Sequence, residues 1–253
     1  MTRPPALNLL FFGNSFTLHH DVPGSIQSLA RAAGIAPPLV VGDLDGGQNL
    51  ARHRQRLDTH PRLNIAHPDL GGSRWDWVVM QGHSKEATAV GRPGDADPPR
   101  DFLDQAPRLF SAVRGHASGN GRHAGGVFYE TWARRVWVPE CYPDLTTQQA
   151  EISDNYRRAA RLTRQAQPDA ELRVAPVGQA FARLDFDTAL YAPDGYHPTP
   201  AGSLLAAAVL FATIYRRPLP PAEAIEDLRT AAGVDPATWA SMTQAATARH
   251  TSI

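Results

Sequence analysis

Short apolar runs of strand length alternate with longer stretches of helical periodicity over most of this chain, from its N-terminus almost to residue 215. Neighbouring parallel strands are joined by long crossovers, usually helices, so this alternation is typical of a parallel β-sheet covered on both faces. The first run, residues 7–12, is apolar at nearly every position and ends at a glycine, as expected of a strand buried on both sides. We therefore predict an α/β fold.

The same patterns predict the individual elements. Strands are expected at residues 7–12, 39–41, 75–80, 127–129 and 172–177. The last of these contains a proline, which indicates the end of a strand or a strand at the edge of the sheet. Helices are expected at five places, the last of which is apolar nearly all round and should be buried: residues 22–33, 50–57, 102–114, 146–167 and 203–212. Surface loops are expected in the glycine-containing segments 91–100 and 117–126.

The chain length predicts a single domain over residues 1–253, because 253 residues can bury one large core. A helical tail from about residue 218 is expected to pack against the main body. With 25 basic and 25 acidic residues the chain has no net charge, which argues against binding to nucleic acid or to an anionic membrane surface. The lone cysteine, Cys141, excludes an intramolecular disulfide and is expected to be partly buried.

The N-terminal apolar run, residues 7–12, is too short to span a membrane and lacks the pattern of a signal peptide. A cytoplasmic location is therefore expected, and a trimmed export signal would change that expectation.

Ser15 lies in the segment Gly-Asn-Ser-Phe-Thr that directly follows the first predicted strand. Ligands of open parallel sheets bind at the carboxyl ends of the strands, where loops converge. Ser15 is therefore a candidate nucleophile. The alternative is a tight turn in which Ser15 is only a local cap.

A second candidate segment, residues 193–202, contains Asp194 and His197 immediately before the predicted buried helix. A serine nucleophile needs a base within hydrogen-bonding reach, and that base is oriented by a third group. Ser15, His197 and Asp194 can supply these three roles. The alternative is that the segment only starts the helix, because Thr199 is a good N-cap and Pro200 suits the first helical position.

Acyl transfer also needs donors for the developing oxyanion. A glycine in the loop of residues 45–50 can present a backbone N–H, although a plain turn is an alternative there. After the third strand, Gln81 offers an amide donor, and His83 is its rival.

Two further segments have less specific patterns. Residues 19–21, His-His-Asp, are interpreted as a solvated loop rather than a metal cluster. Trp132, after the fourth strand, is expected either to line the cleft or to pack in the core.

Taken together, four of these segments resemble the conserved blocks of the SGNH hydrolase superfamily, the GDSL-type esterases. The blocks occur in the same order along the chain: Gly-Asn-Ser-Phe-Thr at 13–17, Gly-Gly-Gln-Asn at 46–49, Gln-Gly-His-Ser at 81–84 and Asp-Gly-Tyr-His-Pro at 194–198. The resemblance covers residues 7 to about 215.

This resemblance implies a flavodoxin-like, three-layer α/β/α fold with a five-stranded parallel sheet. It implies Ser15 as nucleophile, His197 as base and Asp194 as the carboxylate that orients the base. The backbone N–H groups of Ser15 and Gly47 would lie in the oxyanion hole, and neither a metal nor an organic cofactor is implied.

The third block departs from the commonest family pattern, which has an asparagine where this chain has His83. It is closer to the Gln-Gly-Glu-Ser of some carbohydrate acetylesterases in the superfamily. By that analogy Gln81 is expected to donate to the oxyanion, with His83 as the alternative. Asn14 stands where the family usually has an aspartate.

We therefore expect a serine esterase that acts on a small-molecule ester, with an O-acetyl group on a carbohydrate as the first choice. A lipase or thioesterase for longer acyl chains is the alternative within the enzyme class. A carbohydrate-binding protein of the same fold without turnover is the alternative outside it.

Overall fold

A computed structural model of the protein describes residues 6–57, 75–89, 98–116 and 124–248. Its centre is a sheet of five strands, β1 (Asn8–Gly13), β2 (Leu39–Leu44), β3 (Trp77–Met80), β4 (Gly125–Tyr129) and β5 (Leu172–Ala175). The strands are all parallel and lie in the order β2-β1-β3-β4-β5. The predicted α/β fold with a five-stranded parallel sheet is thereby confirmed.

The described helices cover both faces of this sheet. They are α1 (Ser15–Leu18), α2 (Val22–Ala32), α3 (Leu50–Arg56), α4 (Pro98–His116), α5 (Leu145–Ala166), α6 (Val177–Arg183), α7 (Pro200–Tyr215), α8 (Glu226–Ala231) and α9 (Pro236–Thr247). Short 3-10 turns lie at Arg135–Trp137, Thr188–Leu190 and Ala222–Ile225.

Strand β1 shows how the sheet separates two hydrophobic cores. Leu9 and Phe11 point into one core, which contains buried residues of α2, α6, α7 and α9. Leu10 and Phe12 point into the other, which contains buried residues of α4 and α5. Successive side chains of a strand point to opposite faces, so a strand buried on both sides must be apolar throughout.

Helix α7 has no polar face because it is surrounded by other helices and the sheet. It contacts α2, α6 and α9, as well as strands β4 and β5. Thr199 caps its first turn through the N–H of Gly202, and a proline occupies the start of the helix. In the C-terminal part of the chain, Trp239 and Met242 of α9 are buried against the same core.

The structure corrects several predicted boundaries. The predicted strand 172–177 ends at Ala175 and lies at the sheet edge, as its proline indicated, and Pro176 precedes an additional helix, α6, that the sequence patterns did not indicate. Of the predicted loop 91–100, residues 98–100 begin α4 and residues 91–97 lie outside the described residues.

The predicted loop 117–126 likewise ends too late, because Gly125 and Gly126 belong to β4. A Cβ at Gly125 would lie 2.4 Å from the ring of Trp77, and one at Gly126 would lie 2.8 Å from a methyl group of Leu172. These glycines therefore allow close packing within a buried strand, and residues 117–123 lie outside the described part of the chain.

Cys141, expected to be partly buried, is exposed. None of the helices in the described residues is long and apolar enough to cross a membrane.

Candidate active site

The loop after β1 places Ser15 at the carboxyl edge of the sheet. Asn14 caps helix α1, and its side-chain oxygen accepts a hydrogen bond from the N–H of Phe16 at 3.1 Å. A Cβ at Gly13 would lie 2.5 Å from the Thr17 hydroxyl oxygen, so the sharp change from strand to helix requires glycine there. Ser15 is the first residue of α1 and is half-buried.

The loop before α7 brings an imidazole to this serine. The Nε2 atom of His197 lies 3.0 Å from the Oγ of Ser15, although the two residues are 182 positions apart in sequence. On the other side of the ring, His197 Nδ1 lies 2.6 Å from an Oδ2 oxygen of Asp194. Because an ionised carboxylate only accepts, the neutral ring donates from Nδ1 and leaves Nε2 free to accept the Ser15 proton.

The carboxylate of Asp194 also holds its own loop in shape. Its Oδ1 oxygen accepts hydrogen bonds from the backbone N–H groups of Tyr196 and His197, at 3.1 and 3.0 Å. Partial burial alone would raise the pKa of Asp194, but the hydrogen bonds from His197 and Tyr196 outweigh it and lower the pKa below its ordinary value. Asp194 is therefore ionised wherever the imidazole can act as a base.

The resemblance to the SGNH hydrolases assigns the backbone N–H groups of Ser15 and Gly47 to the oxyanion hole. Among the described residues, neither the N–H of Ser15 nor that of Gly47 has a hydrogen-bond partner. Gly47 is exposed and has a φ of 69°, a conformation that suits glycine. The side-chain nitrogen of Asn14 donates to the carbonyl of Gln48 at 3.1 Å, which joins the loop of Gly47 to the loop of Ser15.

Gln81 is fully buried. Its amide nitrogen donates to Oδ1 of Asn14, at 3.0 Å, and to the carbonyl of Gly82. Its Oε1 accepts from the backbone N–H of Asn14 at 3.1 Å and from the Thr17 hydroxyl at 2.9 Å. Both amide hydrogens are thus used inside the protein, so the expected role of Gln81 as an oxyanion donor is not supported. Gln81 instead positions the residue that precedes Ser15.

His83, the rival donor, is half-buried on the same loop. Its Nδ1 accepts from the N–H of Lys85 at 3.3 Å, which in a neutral ring places the proton on Nε2. The N–H of His83 donates to Glu86 at 2.5 Å. Burial raises the pKa of Glu86 to about 8, against the opposing effect of backbone hydrogen bonds from His83 and Leu50.

The fold is similar to that of several solved structures. A protein from Slackia heliotrinireducens that is assigned to the SGNH hydrolases is 29% identical, with a TM-score of 0.53, over 83% of this chain and 100% of its own. A DUF4886 family protein from Bacteroides uniformis has a TM-score of 0.67 at 20% identity, over 96% of this chain and 94% of its own. No family model and no curated protein matches the sequence.

An acetyl xylan esterase from Geobacillus stearothermophilus has a TM-score of 0.54 at 15% identity, over 85% of this chain and 96% of its own. The chain belongs to the SGNH hydrolase superfamily. The resemblance carried by the four sequence blocks is thereby confirmed.

In this SGNH hydrolase, Trp132 is a packing residue rather than part of an open cleft. Its ring is fully buried and stacks between the rings of Phe16 and Phe181, with centroids 4.4 and 4.5 Å away. Its Nε1 donates to the carbonyl of Tyr196 at 2.9 Å. Of the two outcomes expected for Trp132, packing is the one observed, and the packing ties α1 to the loop that carries His197.

Two residues near the site of this SGNH hydrolase had no clear sequence signal. His19, within the His-His-Asp segment, is exposed but stacks on His197. Arg134 is buried beside Tyr196, and nothing distinguishes it in a sequence rich in arginine. Among the residues that the structure describes, no three His, Cys, Asp or Glu side chains are grouped so that they could hold a metal ion.

Proposed function

We propose that this SGNH hydrolase is a serine esterase that cleaves an O-acetyl group from a carbohydrate through an acyl-enzyme on Ser15. The observation that carries the proposal is the continuous chain of hydrogen bonds from Asp194 through His197 to Ser15. A serine hydroxyl is a weak nucleophile at neutral pH, and this arrangement is the one that activates it.

The first half of the reaction forms the acyl-enzyme. His197 Nε2 takes the proton of Ser15 as the Oγ attacks the ester carbonyl carbon, and Asp194 stabilises the resulting imidazolium. The carbonyl oxygen becomes an oxyanion that accepts hydrogen bonds from the N–H groups of Ser15 and Gly47. Each such donor is worth roughly 3 to 4 kcal/mol in the transition state. The C–O bond to the alcohol then breaks, and the leaving oxygen takes the proton from His197.

The second half hydrolyses the acyl-enzyme. His197 removes a proton from a water molecule, whose oxygen attacks the acyl carbon while the same donors hold the oxyanion. The bond to Ser15 Oγ breaks, and the serine recovers its proton from His197. The products are a free hydroxyl and a carboxylic acid.

Two observations favour an acetylated carbohydrate as substrate. The third sequence block resembles that of carbohydrate acetylesterases, and the fold is similar to that of an acetyl xylan esterase.

Hydrolysis of p-nitrophenyl acetate by the purified protein tests the nucleophile. We expect Ser15→Ala to reduce kcat by at least about 10³-fold, as removal of a triad member does in serine hydrolases. Ser28→Ala, which changes a half-buried serine on α2, is the matched control and should keep wild-type rates. A fluorophosphonate probe should label Ser15 in peptide mapping. Equal rates for Ser15→Ala and wild type would refute the proposal.

A comparison of acetyl, butyryl and octanoyl esters tests the acyl specificity. We expect kcat/KM to fall with chain length. A preference for the octanoyl ester would identify a lipase or thioesterase instead. Carbohydrate binding without hydrolysis or labelling would identify a binding protein of the same fold.

A further inference from the structure

Arg134, in the segment after β4, is a buried arginine without an acidic partner. The residue is 7% exposed, and it forms no ion pair with any carboxylate of the described residues. Its guanidinium lies over the rings of Trp137 and Tyr196, 4.9 and 4.3 Å from their centroids. Arginines are rarely buried unless a carboxylate or another anion is paired with them.

The hydrogen bonds of the guanidinium leave one edge available. Nε and Nη2 both donate to the hydroxyl of Ser84, Nε at 3.2 Å. The Nη1 group has no hydrogen-bond partner among the described residues. It is also not fully buried, so a ligand can reach it. The edge formed by Nη1 and the second hydrogen of Nη2 can therefore donate two parallel hydrogen bonds to a carboxylate.

This guanidinium borders the candidate active site. Trp132 Nε1 donates to the carbonyl of Tyr196 at 2.9 Å, and the N–H of Arg135 donates to the carbonyl of Gly195 at 2.9 Å. In sequence, Arg134 lies between Trp132 and Arg135, the two residues that make these contacts with the loop that carries His197. The ring of Tyr196 is 4.3 Å from the ring of His197.

On its other side, Arg134 contacts the loop after β3 through Ser84. That loop also reaches the nucleophile loop, because the side-chain nitrogen of Asn14 lies 3.4 Å from the carbonyl of Gly82. Arg134 therefore bridges two of the loops that surround Ser15.

The position of Arg134 is fixed by buried side chains of α5. The side-chain oxygen of Gln148 accepts from the N–H of Arg134 at 3.1 Å, and that of Gln149 accepts from the N–H of Ala133 at 2.8 Å. Burial lowers the pKa of Arg134 to about 10, so the group keeps its charge at neutral pH. The protein thus holds a desolvated cation in one orientation, which is the preorganisation that an anion site requires.

We infer that Arg134 binds a carboxylate of the substrate, so that the preferred ester is one whose alcohol portion is an acidic sugar. This inference rests on the proposed esterase function and names the substrate class for the same site. The single positive charge of the guanidinium matches the single negative charge of a carboxylate. The carboxylate of Asp194 is near enough to interact with Arg134 electrostatically. Its negative charge would repel a dianion such as a phosphate monoester more strongly than a carboxylate.

Acetate esters of glucuronic acid and of its uncharged amide, glucuronamide, test the inference. For wild type we expect kcat/KM to be at least about tenfold higher for the acid than for the amide. Arg134→Gln should reduce this ratio to about one, and Arg134→Lys should give an intermediate ratio, because lysine keeps the charge but loses the planar fork. Because both kcat/KM values are measured on the same variant, a general loss of activity or of folded protein lowers both equally and leaves their ratio unchanged.

Arg135→Gln is the matched control. Arg135 is the next residue, and its guanidinium donates to the carbonyl of Phe186 rather than facing Ser84. This variant should keep the wild-type preference for the acid. If wild type does not prefer the acid, or if Arg134→Gln keeps the preference, the inference is wrong while the esterase function stands.

A binding measurement separates failure of the inference from failure of the esterase function. Calorimetric titration of the Ser15→Ala variant with glucuronate and with glucuronamide requires no turnover. We expect tighter binding of glucuronate, and loss of the difference when Arg134→Gln is added. Equal affinity for the two sugars would overturn the inference even if no ester is hydrolysed.

Discussion

The imidazole of His19 stacks on that of His197, with ring centroids 4.8 Å apart and 28° between the ring planes. Partial burial lowers the pKa of His19, and the neighbouring His197 and His20 lower it further, against the opposing effect of Asp194. Each of these three effects disfavours a positive charge on His19, which lies beside the imidazolium that forms on His197.

A permanent charge at position 19 should change this balance. We expect His19→Arg to shift the acid limb of the kcat/KM profile to lower pH by about half a unit, because a cation about 5 Å away in a water-like medium opposes the charge on His197 by somewhat under 1 kcal/mol. His20→Arg is the control and should shift it less, since the His20 ring contacts His19 rather than His197. A shift to higher pH, or none, would contradict the prediction.

Asp194→Asn should lower kcat by about 10³- to 10⁴-fold, as in serine hydrolases whose triad aspartate is replaced. The asparagine oxygen can still accept from the backbone of the loop, but its NH₂ group faces Nδ1 of His197. The ring must then carry its proton on Nε2, where it cannot accept the proton of Ser15. Steady-state kinetics at pH 7 to 8 measure the loss.

The control for this variant is Asp187→Asn, which changes an aspartate that caps a 3-10 turn by accepting from the N–H of Ala189. It should keep wild-type kcat. A kcat for Asp194→Asn within tenfold of wild type would exclude the orienting role of Asp194.

Gln81→Leu should lower both stability and activity. It leaves the buried N–H of Asn14 and the hydroxyl of Thr17 without an acceptor, which costs about 2 to 3 kcal/mol in the free energy of unfolding. Urea denaturation measures this cost. Gln27→Leu, which removes one partly buried hydrogen bond to the carbonyl of Pro38, should cost about 1 kcal/mol or less. Unchanged stability with reduced kcat would instead favour Gln81 as an oxyanion donor.

Glu130 should make the stability of the protein depend on pH. The side chain is buried and accepts hydrogen bonds from Gln149, Ser153 and the N–H of Gln179. Burial raises the pKa of Glu130 to about 7, against the lowering effect of these hydrogen bonds and of Arg157. The pKa of Glu130 is thus higher in the folded protein than in the unfolded chain. Its contribution to the free energy of unfolding is fully present below about pH 4.5, the unfolded value, and is lost as pH rises through about 7, the folded value.

Glu130→Gln removes this titration. We expect the free energy of unfolding of the variant, relative to wild type, to increase by about 3 kcal/mol between pH 4.5 and pH 9. Chemical denaturation across this range measures the difference. Asp154→Asn, a change at an exposed aspartate of α5, is the control and should show no such trend. A difference between Glu130→Gln and wild type that is constant with pH would show that Glu130 has the same pKa in both states.

The sequence by itself determined the class of fold and the residues worth testing. Apolar run length and helical periodicity are local properties, so they located all five strands, and they identified α7 as buried because it has no polar face. They failed where a local signal was ambiguous. In the sequence, the glycines at the start of β4 resemble those of a loop. The structure shows that they belong to a strand, where the ring of Trp77 leaves no room for a Cβ at Gly125.

Only the tertiary structure decided which of these residues meet. The approach of His197 to Ser15 spans 182 positions, and the bond from Thr17 to Gln81 spans 64. A block motif specifies which donor a loop carries, but the direction of that donor depends on partners contributed by other loops. For this reason, only the structure shows that the amide of Gln81 donates to other protein groups. Only the structure, likewise, shows that Arg134 is buried near His197 without an acidic partner.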